Sequence, residues 1–231
     1  MKIVVTVAAP VATVWEALRN KDKIRHWHGW EYEGTQGGLE EEIDLIYFTR
    51  AVEDGTTLRL GNGDEFAVEA VDGGSRVTLT RAPLGADPDW DAYYDDVTEG
   101  WITFLHQLRF AVERHPDDPR RTLFYSGNGA VSPIGELHIP AGDAFELDLI
   151  GERVTCEVWY RSDHQLGLTV DAWGNGLLVL SHIPPGDGKP DGATMAILSL
   201  YGDVDRDVVD ARWRAWWSER WPEELELPTE P

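Results

Sequence analysis

The chain has 231 residues, with 42 acidic side chains against 20 basic ones and a formal net charge of −22. That charge repels phosphate backbones and anionic membrane surfaces, which argues against nucleic acid as a partner, and a hydrophobic fraction of 42% argues against disorder. One cysteine, Cys156, permits no intramolecular disulfide and predicts a reducing, cytoplasmic setting; no apolar run reaches membrane-span length, so no membrane insertion is expected. We read the acidity as solubility rather than cation binding.

The opening residues superficially resemble a short signal peptide, yet Ile3, Val5 and Val7 alternate as a strand would, so 2–8 is read as structure. Pro10 suits a first helical residue, and Val11, Val14, Trp15 and Leu18 recur at helical spacing up to Asn20. Residues 21–27 suit a second short helical turn. The period then changes, and strands are expected near 29–34, 42–50, 56–61, 64–71 and 75–82, with turns at Asp54-Gly55 and Asp72-Gly73.

Asp91 to His115 is the stretch the first half is organised around. Val97, Trp101, Phe104, Leu105, Leu108, Ala111 and Val112 are spaced three and four apart, which predicts a long helix with one apolar stripe in need of a cover. Acidic residues cluster at its N-terminal end and basic ones near its C-terminal end, the polarity that suits a helix dipole. Pro116 stops it.

The Pro-rich, charged stretch 116–121 reads as a linker. A strand at 121–126 and a short helix opened by Ser132-Pro133 follow, then strands near 144–150, 153–160, 166–172, 177–183 and 194–201. A final helix near 204–221 carries Val209, Trp213, Trp216, Trp217 and Arg220 on one side, so the second half repeats the first in pattern though not in letters. Expected boundaries are a first domain at 1–115, a linker at 116–121, a divergent second domain at 122–222 and an acidic tail at 223–231. The order of elements implies an α+β fold.

Three stretches, VTVAAPVATVWEAL at 5–18, FAVEAVDGGSRVTLT at 66–80 and TEGWITFLHQLRFAVE at 98–113, together resemble the START-like helix-grip (SRPBCC) superfamily, and within it the activator-of-heat-shock-protein-90-ATPase-homologue branch. The rest of the chain is similar to the second half of two-domain bacterial members. The resemblance implies a curved antiparallel β-sheet around a long C-terminal helix, repeated in a divergent second copy, with an apolar cavity between sheet and helix. Members of the superfamily bind lipids, sterols, polyketides or hormones, contact a chaperone, or in a few cases are enzymes, so the fold names no single activity.

Trp27, Trp30, Trp90, Tyr93, Tyr94 and Trp101 are dense for their length. Each alone reads as core filling, while as a group they suit a cavity mouth. Trp27, Trp30, Trp90, Tyr93, Val97, Trp101 and Leu105 are the candidate ligand-binding residues, and Trp101 either lines a cavity or plugs it. His26 and His28 would share one face of a strand and could ligate a metal, but no third ligand is near in sequence and we read both as surface histidines. Asp87, Asp89 and Asp91 imitate a calcium loop without the Gly and Glu such a loop needs, since Ala92 and Thr98 stand there. The Gly-Asn-Gly triplets at 61–63, 127–129 and 174–176 read as turns.

No nucleophile motif is present, and Cys156 sits in an apparent strand as a structural thiol. Asp44, Tyr47, Arg59 and Arg81 are acid or base candidates only if their strand parity faces inward. The expectation is therefore a binding protein for a small hydrophobic molecule in the N-terminal cavity, without catalytic residue, metal or cofactor. The alternatives are a chaperone-directed interaction protein and a cyclase or dehydratase that needs a buried acid–base pair.

Overall fold

In the computed structural model, residues 1–32, 37–83, 94–186 and 189–221 are described. The chain divides into two compact units, Met1–Pro119 and Arg120–Pro231.

The first unit opens with β1 (Lys2–Val7), whose residues alternate between exposed and buried, with Ile3, Val5 and Val7 inward. Helices α1 (Val11–Arg19), α2 (Lys21–Ile24) and α3 (Gly38–Tyr47) follow. Strands β2 (Val52–Asp54), β3 (Thr57–Arg59), β4 (Glu65–Val71) and β5 (Gly74–Thr80) then run as an antiparallel meander. β5 closes against β1, giving the order β1-β5-β4-β3-β2. Register puts Ile3 opposite Leu79 and Phe66 opposite Leu79 in turn, and Val77 between Val5 and Val68, so one apolar face is continuous across three strands. Helix α4 (Tyr94–Arg114) covers that face, and its whole expected stripe packs into the core: Trp101, Leu105, Leu108 and Ala111 buried, Val97, Phe104 and Val112 partly so. Glu113 pins α4 to the end of β1 by accepting the Ala8 amide at 2.8 Å.

Two expected strands are absent here. Residues 42–50 lie mostly in α3, because Leu39, Ile43, Ile46 and Tyr47 supply a helical stripe into the core while consecutive glutamates at 40–42 favour helix. Ile43, Leu45 and Tyr47 also alternate with period two, which is why the run reads as a strand in isolation. The described residues of 29–34 form no strand, and Gly29 takes a φ of +53° that breaks extension. An unexpected short edge strand, β2, takes their place.

The second unit repeats the winding. β6 (Arg121–Gly127) and the short α5 (Pro133–Glu136) precede β7 (Ala144–Asp148), β8 (Arg153–Arg161), β9 (Gln165–Val170), β10 (Gly176–Ile183) and β11 (Ala193–Leu200), and α6 (Arg206–Ser218) ends it. The sheet order is β6-β11-β10-β9-β8-β7. In both units the first strand pairs with the last, the rest form an antiparallel meander, and the long helix comes after it, so the fold is an α+β helix-grip arrangement present twice. Asp205 caps α6 by accepting the amides of Asp207 and Val208, and Val209, Trp213 and Trp217 are its buried face.

Candidate functional site

The space between α3, α4 and the first sheet is occupied by rings. Trp101 meets Phe66 with centroids 5.4 Å apart, Phe104 at 5.9 Å and Tyr47 at 6.4 Å, each near perpendicular. Trp27 meets Tyr47 at 5.7 Å. These edge-to-face contacts set ring edges against ring faces, the arrangement aromatic quadrupoles favour. Trp27, Tyr47 and Phe66 are fully buried and Trp101 is 4% exposed, packed among the described rings.

Two polar networks run through this packing. Tyr47 Oη lies 2.9 Å from His28 Nδ1, and His28 Nε2 lies 3.1 Å from Glu42 Oε1. A carboxylate can only accept, so Nε2 carries a proton toward Glu42, while Nδ1 shares a hydrogen bond with the Tyr47 hydroxyl. Tyr32 donates its hydroxyl to Glu42 Oε2 at 3.2 Å. Burial pushes the Tyr47 phenol well above its ordinary pKa, and the Glu42 charge adds to this; Tyr47 therefore stays a donor at neutral pH. Burial alone would raise the Glu42 carboxyl, but the His28 hydrogen bond and charge, with Tyr32, outweigh it and leave the group below its usual value. His28 is fully buried, which corrects the expectation of a surface histidine: the loop after α2 turns its ring inward, where Glu42 and Tyr47 on α3 satisfy both nitrogens.

The second network links Asp64, just before β4, to Arg81, just after β5. Their side chains meet at 3.0 Å with both nearly inaccessible. Asp64 also accepts the Ala82 amide at 2.7 Å and the Trp101 indole at 3.1 Å, while Arg81 donates to Thr98 Oγ1 at 2.6 Å. A buried ion pair persists only when its remaining valences are filled this way.

Open space lies at the other end of α4. A groove of about 240 Å³ runs between α1, the α2 segment and the last turns of α4. Its apolar lining is Ala17, Trp27, Ala111 and Val112, and Glu16, Lys23, His26, His115 and Asp117 supply its charged or titratable groups. Lys23 Nζ donates to Pro116 O at 2.6 Å and to Asp117 Oδ1 at 2.8 Å. His115 Nδ1 lies 2.9 Å from Asp118 Oδ2.

Of the residues expected to bind ligand, Trp101 and Leu105 are buried in the core and Val97 is packed against it. Trp30 is half-buried, 6.4 Å from Phe104. Trp27 holds Ala17 O through its indole N–H at 2.9 Å and forms part of the groove wall. Trp90 and Tyr93 lie outside the described residues. Of the acid–base candidates, Arg81 and Tyr47 enter buried networks, whereas Arg59 and Asp44 sit on the surface in ion pairs with Glu65 and Lys21. The groove residues Thr13, Glu16, Lys23, His115 and Asp117 carry no local motif, since they converge from segments about a hundred positions apart. Among the described residues no group of three or more His, Cys, Asp or Glu could hold a metal ion, and no helix is long and apolar enough to cross a membrane.

No protein-family model matches the chain, and no curated protein matches it. Among solved structures it is similar to DynU16, from the dynemicin biosynthetic locus, at 17% identity over 94% of either chain with a TM-score of 0.35. It is also similar to StfQ, the di-domain ARO/CYC of the steffimycin biosynthetic pathway, at 14% identity over 95% of this chain and 92% of that one, TM-score 0.35. An AHSA1-like protein from Rhizobium etli matches 52% of this chain and 84% of its own at 21% identity, TM-score 0.32. At these scores nothing about ligand or activity passes from them to this chain.

Proposed function

We propose that the N-terminal unit is a non-enzymatic binding domain for a small apolar or aromatic molecule, held in the groove against α4. The observation that carries this is the groove itself, whose apolar lining of Ala17, Ala111 and Val112 stands on helices already fixed by the core, with the fully buried Trp27 behind it. An apolar cavity of about 150 Å³ is enough to take up benzene, so a space of about 240 Å³ suits one or two fused rings rather than a long lipid. The site moves from the sheet side of Trp101, where rings fill the space, to the C-terminal turns of the same helix. We assign the unit to the activator-of-heat-shock-protein-90-ATPase-homologue branch, as a two-domain bacterial member, on its three sequence stretches, and place it in the cytoplasm on its single thiol.

The test is a panel of one- and two-ring aromatics titrated into the full chain, read by amide and indole NMR shifts. Shifts confined to Trp27, His26 and Val112, abolished by Val112→Arg without loss of the folded spectrum, support the reading. Shifts centred on Phe104 and Trp30, or none at millimolar ligand, sink it. A change in chaperone ATP turnover on adding a protein that binds no ligand would replace it with the interaction role.

A second reading, acid–base chemistry of the cyclase or dehydratase kind, is favoured by the Glu42–His28–Tyr47 chain, in which a carboxylate orients an imidazole hydrogen-bonded to a phenol. It requires turnover that Tyr47→Phe removes while folding is retained.

A further inference from the structure

Lys23 is the one lysine or arginine that lines the groove, with His26 and His115 beside it and the carboxylates Glu16 and Asp117 on the same rim. Glu16, on α1, is exposed. The negative end of α4 is answered locally, because the Lys23 ammonium donates to Pro116 O just beyond the last turn.

A carboxylate already sits in this rim. Asp117 reaches Lys23 at 2.8 Å from a side chain that is 88% exposed, while Lys23 itself is 28% exposed. The Asp117 pKa lies below its usual value, first through the Lys23 hydrogen bond and charge and, more weakly, through His26, so the rim stabilises an oxyanion at this point. An exposed pair of this kind is weakly held. A carboxylate arriving on a ring packed against Val112 has the same hydrogen bond available and adds apolar contact that Asp117 lacks.

Resting on the groove as the ligand site, we infer that its ligand is an aromatic acid, whose carboxylate takes the place of Asp117 on Lys23. The ring lies against Val112 and the edges of Ala17 and Ala111, in front of the buried Trp27, and the acid group points to the rim between Lys23, His26 and His115. Asp117 is then an internal competitor that occupies the anion position in the empty protein.

The experiment compares 1-naphthoate with its neutral isostere 1-naphthamide on the full chain, by calorimetry and NMR, in the wild type, Asp117→Asn and Lys23→Met. Naphthoate is expected to bind about tenfold more tightly than the amide. Asp117→Asn should tighten naphthoate by about threefold to tenfold and leave the amide unchanged, and Lys23→Met should erase the preference. Equal affinity for acid and amide, or an acid affinity indifferent to Asp117→Asn, overturns the inference while leaving the groove as a binding site. If neither compound shifts Trp27 or Val112, the groove reading and the inference fall together.

Discussion

Trp101 donates its indole N–H to Asp64 Oδ2 at 3.1 Å, so a residue of the α4 stripe is also a partner of the buried Arg81–Asp64 pair. One side chain thus fills space against Phe66 and Tyr47 and completes a charged network. Trp101→Phe, which removes only the hydrogen bond and part of the ring, should cost about 1–2 kcal/mol. Trp101→Ala should cost about 3–5 kcal/mol because a cavity is added. Urea unfolding of the two variants separates the contributions; equal losses would show that the hydrogen bond carries the effect.

Arg81→Met strands the Asp64 carboxylate in the core with the Ala82 amide, the Trp101 indole and the Asn62 side-chain amide as donors. A loss of about 3–5 kcal/mol is expected. The double variant Arg81→Met, Asp64→Leu should lose less than the sum of the single changes, because no charge is then left buried. A thermodynamic cycle from denaturant melts measures the coupling, and additivity would mean the pair is not coupled in the folded protein.

His106, on α4, has its pKa lowered to about 4 by burial first and by Arg109 second. The folded value lies below the unfolded one, so the unfolded chain takes up the proton first. Stability is full above about pH 6.5 and falls as pH drops toward 4, levelling off below. The shift corresponds to about 3 kcal/mol. The wild type minus His106→Gln difference in unfolding free energy should therefore shrink across that window; a flat difference between pH 7 and 4 would contradict it.

Burial, with the charge of Asp171, raises the Cys156 thiol to about 11. At pH 8 little thiolate forms and the sulfur is inaccessible. A thiol-reactive disulfide should leave the native protein unmodified for hours and react stoichiometrically once guanidinium is added. Rapid labelling of the native protein would mean that the strands around β8 open readily.

Much of the fold is legible along the chain. The stripe from Val97 to Val112, the alternation of β1, the strands of the second unit and its Trp-rich helix can be read from spacing, because each element meets its core with its own period. Residues 38–47 defeat such reading, since Ile43, Leu45 and Tyr47 satisfy a strand and Leu39, Ile43 and Ile46 a helix; the cover that Leu39, Ile43, Ile46 and Tyr47 find in the core decides for the helix. That choice also sets Glu42 beside His28, so mistaking the element hides the network.

What the sequence by itself determined is most of the amphipathic elements and their order. These are local properties, carried by period and composition. Only the tertiary structure decided that Trp101 packs against Phe66 and Tyr47, and that His28 is buried between a phenol and a carboxylate. It also decided that the open groove lies where Lys23, His26 and His115 meet. Each of these depends on side chains brought together from distant segments, and volume and hydrogen-bond closure between such segments leave no trace in the spacing of either one alone.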